Sequence, residues 1–240
     1  IEDYSKAIEL NPKYEEALKE RGNAYRSIGI EKDYAYLSRN IAYHFIGGDK
    51  DIAKNYEGAL KDYSKAIELN PKYEEAFMER AFLKIHLNDY EGSIDDYSKA
   101  IELNSENEAA FFDRGNAKVE LKDYQGAIDD YSKVIELNSE NEAAFFDRGN
   151  AKVELKDYQG AFNDYSKAIE LEPQNEKYQR SIDQLTDQYI DKSKDYKNVI
   201  EHYSKILRLN PKNKEALMKR SEAYKKLSDL DMDKSKDLDD

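Results

Sequence analysis

Residues 101–127 read IELNSENEAAFFDRGNAKVELKDYQGA, and residues 135–161 repeat those letters thirty-four places on. Repetition at a fixed distance of about 20–50 residues marks an array of small supersecondary units, so this period governs every other reading of the chain. The motif DYSKAIEL and its variants extend the pattern, placing tyrosines at Tyr4, Tyr63, Tyr97, Tyr131, Tyr165 and Tyr203. Three of the intervals are thirty-four; the others are fifty-nine and thirty-eight, so extra residues lie in the units ending near Tyr73 and Asn213.

Within residues 108–141 an apolar stripe runs Ala110, Phe111, Ala117, Leu121, then Tyr124, Ala127, Ile128, Tyr131 and Ile135. Spacings of three, four and seven predict helices rather than strands. LKDY interrupts the first stripe, and NSEN, or Asn-Pro at Asn11-Pro12, Asn70-Pro71 and Asn210-Pro211, closes the second, so each unit is expected to be a helical hairpin. Small residues recur where two helices must approach: Gly22, Ala81, Gly115 and Gly149 in the first helix, and Ala59, Ser93, Ala127 and Ala161 in the second. Ala7, Ala66, Ala100 and Ala168 give a third small position. A glycine inside a helix costs about 1 kcal/mol relative to alanine, which close packing must offset.

The pattern of bulky residue, Gly/Ala, Ala, aromatic, Ala and Pro resembles the tetratricopeptide repeat family. It appears as Phe111, Gly115, Ala127, Tyr131, Val134 and Ser139, and again as Phe145, Gly149, Ala161, Tyr165, Ala168 and Pro173. The resemblance implies an all-α, right-handed solenoid of helix-turn-helix units, each supplying core to its neighbour because one hairpin cannot bury its own apolar face. The expected division is a second helix at 1–14, an expanded unit at 15–73, regular units at 74–107, 108–141 and 142–175, an expanded unit at 176–213, and a first helix followed by an acidic tail at 214–240. Both ends fall within a unit, which suggests a piece of a longer array. The insertion at 30–55 is read as one extra helix, with Tyr34, Leu37, Ile41 and Phe45 on one face and Gly47-Gly48 stopping it. Around 189–196 four residues are added, and Asp183 takes a small-residue position, which predicts looser packing there.

The totals exclude several classes. Net charge is −13 with a pI near 4.9, which repels nucleic acid. Cysteine is absent, removing disulfides, zinc-thiolate sites and thiol nucleophiles. No apolar run approaches the length of a membrane span, so no membrane partner is expected. His44, His86 and His202 occupy unrelated places in their units and build no relay or metal site, so neither an enzyme nor a cofactor is expected. The acidic string at 229–240 has calcium-loop spacings but Lys234 where the loop needs glycine. The remaining Asp and Glu residues read as solvated faces with Lys at helical spacing, as in Lys133 and Glu136.

The family resemblance further implies that first helices line a concave groove. It would carry Lys19, Asn23 and Arg26; Met78, Phe82 and Ile85; Phe112, Asn116 and Val119; Phe146, Asn150 and Val153; and Met218, Glu222 and Lys225. With acidic neighbours including Glu79, Asp113 and Asp147, this groove would take a protein or peptide with apolar anchors and some basic residues. Alternatively Phe112 and Phe146 pack against the adjacent unit, and Asn116 and Asn150 serve no ligand. A co-chaperone's carboxylate clamp is matched at Lys19 and Asn23, but Glu79, Ala109 and Asp113 stand where asparagine and two cations belong. A structural array that stacks end to end through Ile1, Tyr4 and Ile8 is a further reading.

Overall fold

A computed structural model describes residues 1–39, 50–193, 196–209 and 211–236, and all elements among them are helices. They fall into two compact units, Ile1–Ser139 and Glu140–Asp240. The first contains α1 (Glu2–Leu10), α2 (Glu15–Arg39), α3 (Lys50–Leu69), α4 (Glu74–His86), α5 (Tyr90–Leu103), α6 (Glu108–Glu120) and α7 (Tyr124–Leu137). The second contains α8 (Glu142–Glu154), α9 (Tyr158–Leu171), α10 (Glu176–Ser193), α11 (Tyr196–Leu209) and α12 (Lys214–Lys236). Within each unit, helices adjacent in the chain pack on one another, as a row of hairpins requires.

The hairpin boundaries follow from local chemistry. Asn107 and Asn141 cap α6 and α8 by accepting from the Ala110 and Ala144 amides at 3.0 and 2.8 Å. The first helices α4, α6 and α8 are each followed by a residue of left-handed backbone, Asn88, Lys122 or Lys156, with φ of 59°, 61° and 64°. The following aspartate, Asp89, Asp123 or Asp157, caps the second helix by accepting from the amide of Gly92, Gly126 or Gly160, each at 3.0 Å. The four-residue interruption LKDY is therefore stop, left-handed turn and start in succession.

Two layers of contact then fix each hairpin. A Cβ on Gly115 would stand 2.8 Å from Cε1 of Tyr131, so the missing side chain is what lets the tyrosine ring lie against the first helix. Gly22 and Tyr63, and Gly149 and Tyr165, repeat this contact. Beside it runs an ionic ladder. Arg114 grips Asp130 with Nε and Nη2 at 2.9 and 2.6 Å, while Nη1 donates to Ser98 of the preceding second helix at 3.0 Å. Arg21 with Asp62 and Ser5, and Arg80 with Asp96 and Ser64, form the same three contacts. In the second unit Arg148 grips Asp164 at 2.9 and 2.6 Å. Lys84, Lys118 and Lys152 add a second cation to Asp96, Asp130 and Asp164. These aspartates are buried, not part of a solvated face as the sequence suggested; only pairs such as Lys133–Glu136, at 2.7 Å, lie at the surface.

The irregular stretches differ from expectation in three places. Residues 30–39 prolong α2 and residues 50–55 belong to α3, so neither end of the insertion forms a separate helix; Ile41, Phe45, Gly47 and Gly48 lie outside the described residues. The last helix runs to Lys236, into the stretch read as an acidic tail, so the calcium-like string is helical as far as it is described. In the hairpin of α10 and α11, Asp183 at the small-residue position accepts from the Tyr203 hydroxyl at 2.7 Å. There the ladder changes as well: Ile182 takes the arginine position, His202 takes the aspartate position, and His202 Nδ1 bonds Ser166 at 2.8 Å.

Candidate functional site

In the first unit α2, α4 and α6 lie side by side and present the residues expected to face a groove. Their environments are unequal. Lys19 is half-buried and already held by Glu16 and Glu20 at 2.8 and 3.0 Å. Burial works against its charge, but those two carboxylates outweigh burial and raise its pKa. Arg26 pairs with Glu79 and lies over the Phe82 ring, 5.1 Å from its centroid. Phe82 in turn lies tilted against His86, ring centroids 4.5 Å apart, and remains 36% exposed, an aromatic surface held in place from both sides. Met78 and Ile85 pack partly against the core formed by Phe77, Ala81 and Tyr97.

The asparagines have a structural partner. Asn23 and Asn116 accept from the hydroxyls of Tyr63 and Tyr131 at 2.8 and 2.7 Å, so their carbonyl oxygens satisfy the polar tip of the packed tyrosine. Phe112 is half-buried beside Tyr131, ring centroids 5.7 Å apart. Asp113, its neighbour, is different in kind. It touches the Tyr97 hydroxyl at 3.4 Å and has no cation against it among the described residues. Burial raises its pKa, with the tyrosine contact opposing.

The second unit arranges the same letters otherwise. Phe146 is only 3% exposed, enclosed by Tyr165 and Tyr178 at 5.3 and 4.6 Å, with the Lys177 ammonium 4.6 Å from its ring. It belongs to the core, not to an open face, because Tyr178 in α10 is large enough to cover it. Asn150 accepts from Tyr165 at 2.7 Å and donates to Asp147 at 3.3 Å. Burial raises the Asp147 pKa, with Lys177 and Asn150 opposing. Asp147 thus has the cation that Asp113 lacks. Met218 on α12 is well exposed.

The residues with chemistry to offer are therefore Phe82, Phe112 and Asp113, with Arg26 and Glu79 as their frame. Reading by sequence missed the tyrosine-to-asparagine bonds. The signal was present: each buried tyrosine needs an acceptor, and Asn116 and Asn150 recur fifteen residues before Tyr131 and Tyr165. Among the described residues, no cluster of acidic or histidine side chains could hold a metal, and no helix is long and apolar enough to cross a membrane.

Family models described as TPR repeat match residues 84–122 and 115–156, and one described as tetratricopeptide repeat matches residues 143–175. Among solved structures the chain is similar to YrrB, a TPR protein with an unusual peptide-binding site, at a TM-score of 0.62 and 19% identity over 91% of this chain and 97% of that one. It is also similar to MamA residues 41 to the end from Desulfovibrio magneticus RS-1, at a TM-score of 0.55 and 18% identity over 81% of this chain and 97% of that one. No curated protein matches the sequence. At these identities the structural likeness is one of fold.

Proposed function

We propose that this chain, a member of the tetratricopeptide repeat family, is a non-enzymatic scaffold that holds a protein segment on the first-helix face of α2, α4 and α6. The observation that carries this reading is Asp113, a partly buried carboxylate with no cation against it among the described residues, next to the half-buried Phe112 and on the face that also carries the exposed ring of Phe82. A desolvated carboxylate is satisfied by a ligand that brings a positive charge, and the rings by an apolar side chain beside that charge. The segment is accordingly one in which an apolar residue adjoins lysine or arginine. A carboxylate-clamp ligand is disfavoured, because Lys19 and Arg26 are already occupied by Glu16, Glu20 and Glu79.

Panning a random peptide library on the full chain tests this. Enriched peptides should pair an apolar residue with a nearby basic one. Phe112→Ala should weaken their binding about tenfold to a hundredfold, following the 1.5–3 kcal/mol of burying such a ring. Asp113→Asn should remove the preference for the basic residue while leaving helicity unchanged. Peptides that bind both variants as well as the parent overturn the assignment.

A further inference from the structure

Where the ladder is regular, a guanidinium bridges two successive second helices. Arg80 stands between Ser64 of α3 and Asp96 of α5, and Arg114 between Ser98 of α5 and Asp130 of α7. Between α9 and α11 the arginine position falls to Ile182, whose side chain has no donor to offer. Here the two second helices border a cleft of about 310 Å³, at the low end of the range for small-molecule sites. Phe162, Ser166 and His202 belong to its lining, with lysines, glutamates and asparagines of both helices around them.

That lining has a polar demand that its own side chains do not meet. His202 is only 5% exposed, and its Nδ1 is spent on Ser166 at 2.8 Å. Ser166 donates onward to the Phe162 carbonyl at 2.8 Å, so the imidazole proton sits on Nδ1 and Nε2 is left as an acceptor. Nε2 is buried and has no partner among the described residues. A buried acceptor without a donor is costly, so the floor of the cleft calls for an N–H or O–H. The charges above it call for nothing further. Lys167 pairs with Glu170 at 3.4 Å, and Lys205 lies 3.4 and 3.5 Å from Glu170 and Glu201, so two cations and two carboxylates cancel. Asn163 and Asn198 add carboxamides, each with donors and an acceptor. Phe162 is 2% exposed and presents no open face on which a flat ring could stack.

We propose that the cleft between α9 and α11 binds a small neutral polyhydroxyl compound, a sugar or sugar alcohol, with one hydroxyl donating to His202 Nε2 and others bonding Asn163 and Asn198. The ligand class follows from the lining. A hydroxyl both donates and accepts, so several on one small carbon frame satisfy the lone pair on the floor and the carboxamides of the rim together. A cation would be opposed by Lys167 and Lys205, and an anion by Glu170 and Glu201. A nucleobase would need the open aromatic face that Phe162 does not provide.

Nuclear magnetic resonance on the isotope-labelled full chain tests this, with glucose, myo-inositol and glycerol as probes and arginine and glutamate as charged controls. At least one neutral probe should move the His202 Nε2 resonance saturably, with a Kd of about 1 mM or tighter, and shift backbone amides of α9 and α11 with it. The controls should leave both unmoved. His202→Phe keeps a ring but removes the acceptor, and its amides should respond at least about tenfold more weakly, as loss of one buried hydrogen bond implies. Asn163→Ala changes only the exposed rim and should weaken binding about threefold, with helicity by circular dichroism unchanged. If His202→Phe does not fold, the parent resonance and Asn163→Ala decide the matter. A parent whose Nε2 responds to no neutral probe, so that water alone serves it, overturns the proposal. Equal responses to arginine or glutamate, or undiminished binding by Asn163→Ala, overturn it as well. No residue of this cleft lies on α2, α4 or α6, so either result leaves the peptide-binding reading to its own test.

Discussion

The guanidinium of Arg114 shows how much of this fold rests on single charged groups. Asp130 lies almost wholly out of water, and Arg114 and Lys118 together supply its compensation. Removing one partner of a buried pair leaves the other uncompensated, which costs about 3–5 kcal/mol. Arg114→Leu should therefore lower stability by about 3 kcal/mol in urea unfolding, and adding Asp130→Leu should recover part of that loss. At His202 the ladder is replaced by an uncharged contact. Ser166 donates to the Phe162 carbonyl at 2.8 Å, so His202 Nδ1 donates to Ser166, and the buried Nε2 finds no donor among the described residues. Burial, with repulsion from Lys205, holds the imidazole pKa down to about 3, against an ordinary 6.5. Between those values the unfolded chain binds a proton that the folded chain refuses. Stability from this group is therefore full above about pH 6.5 and falls as pH drops, by up to about 1.4 kcal/mol per unit. His202→Gln should flatten that part of the pH dependence of the urea midpoint.

At the scale of the element, the hairpin was legible because its punctuation is chemical. Asn107, Lys122-Asp123 and Gly115 each announce a cap, a turn or a close approach in letters that have few other uses. Gly115→Val should push Tyr131 off α6 and destabilise by about 2 kcal/mol, in the range typical of overpacking, as urea unfolding would show. The neighbouring hairpin of α4 and α5 tolerates Ala81 at this position with Tyr97 still buried, so Gly115→Ala should cost far less. What the letters hid was partnership across helices. Phe112 and Phe146 sit in identical twenty-seven-residue stretches, yet one is half-buried and the other enclosed, because α10 places Tyr178 where α6 and α8 carry Ala110 and Ala144. Asp113 and Asp147 diverge for the same reason, Lys177 being supplied from outside the repeated sequence. The ladder was misread as surface charge because spacing reveals which side of a helix a residue lies on, but not what the next helix places against it.

At the scale of the molecule, a net charge of −13 on 240 residues is a standing self-repulsion that counterions relieve. Raising salt from about 0.01 M to about 0.15 M shortens the screening length from about 30 to about 8 Å. The thermal midpoint at neutral pH should then rise by about 2–4 °C, the shift that about 1 kcal/mol gives in a chain of this size. The buried ladder is screened far less than the surface charge, so the two effects do not cancel. The substituted rung at Ile182 and His202 has a consequence for how the chain finds its own frame. Copies spelled alike can pair out of step by one whole unit, since every ordinary rung fits every other. Only at the substituted rung does a slipped partner meet the wrong chemistry, an arginine driven against a neutral imidazole or an isoleucine against a naked carboxylate. One irregular tooth thus gives an otherwise degenerate zipper a place from which to count.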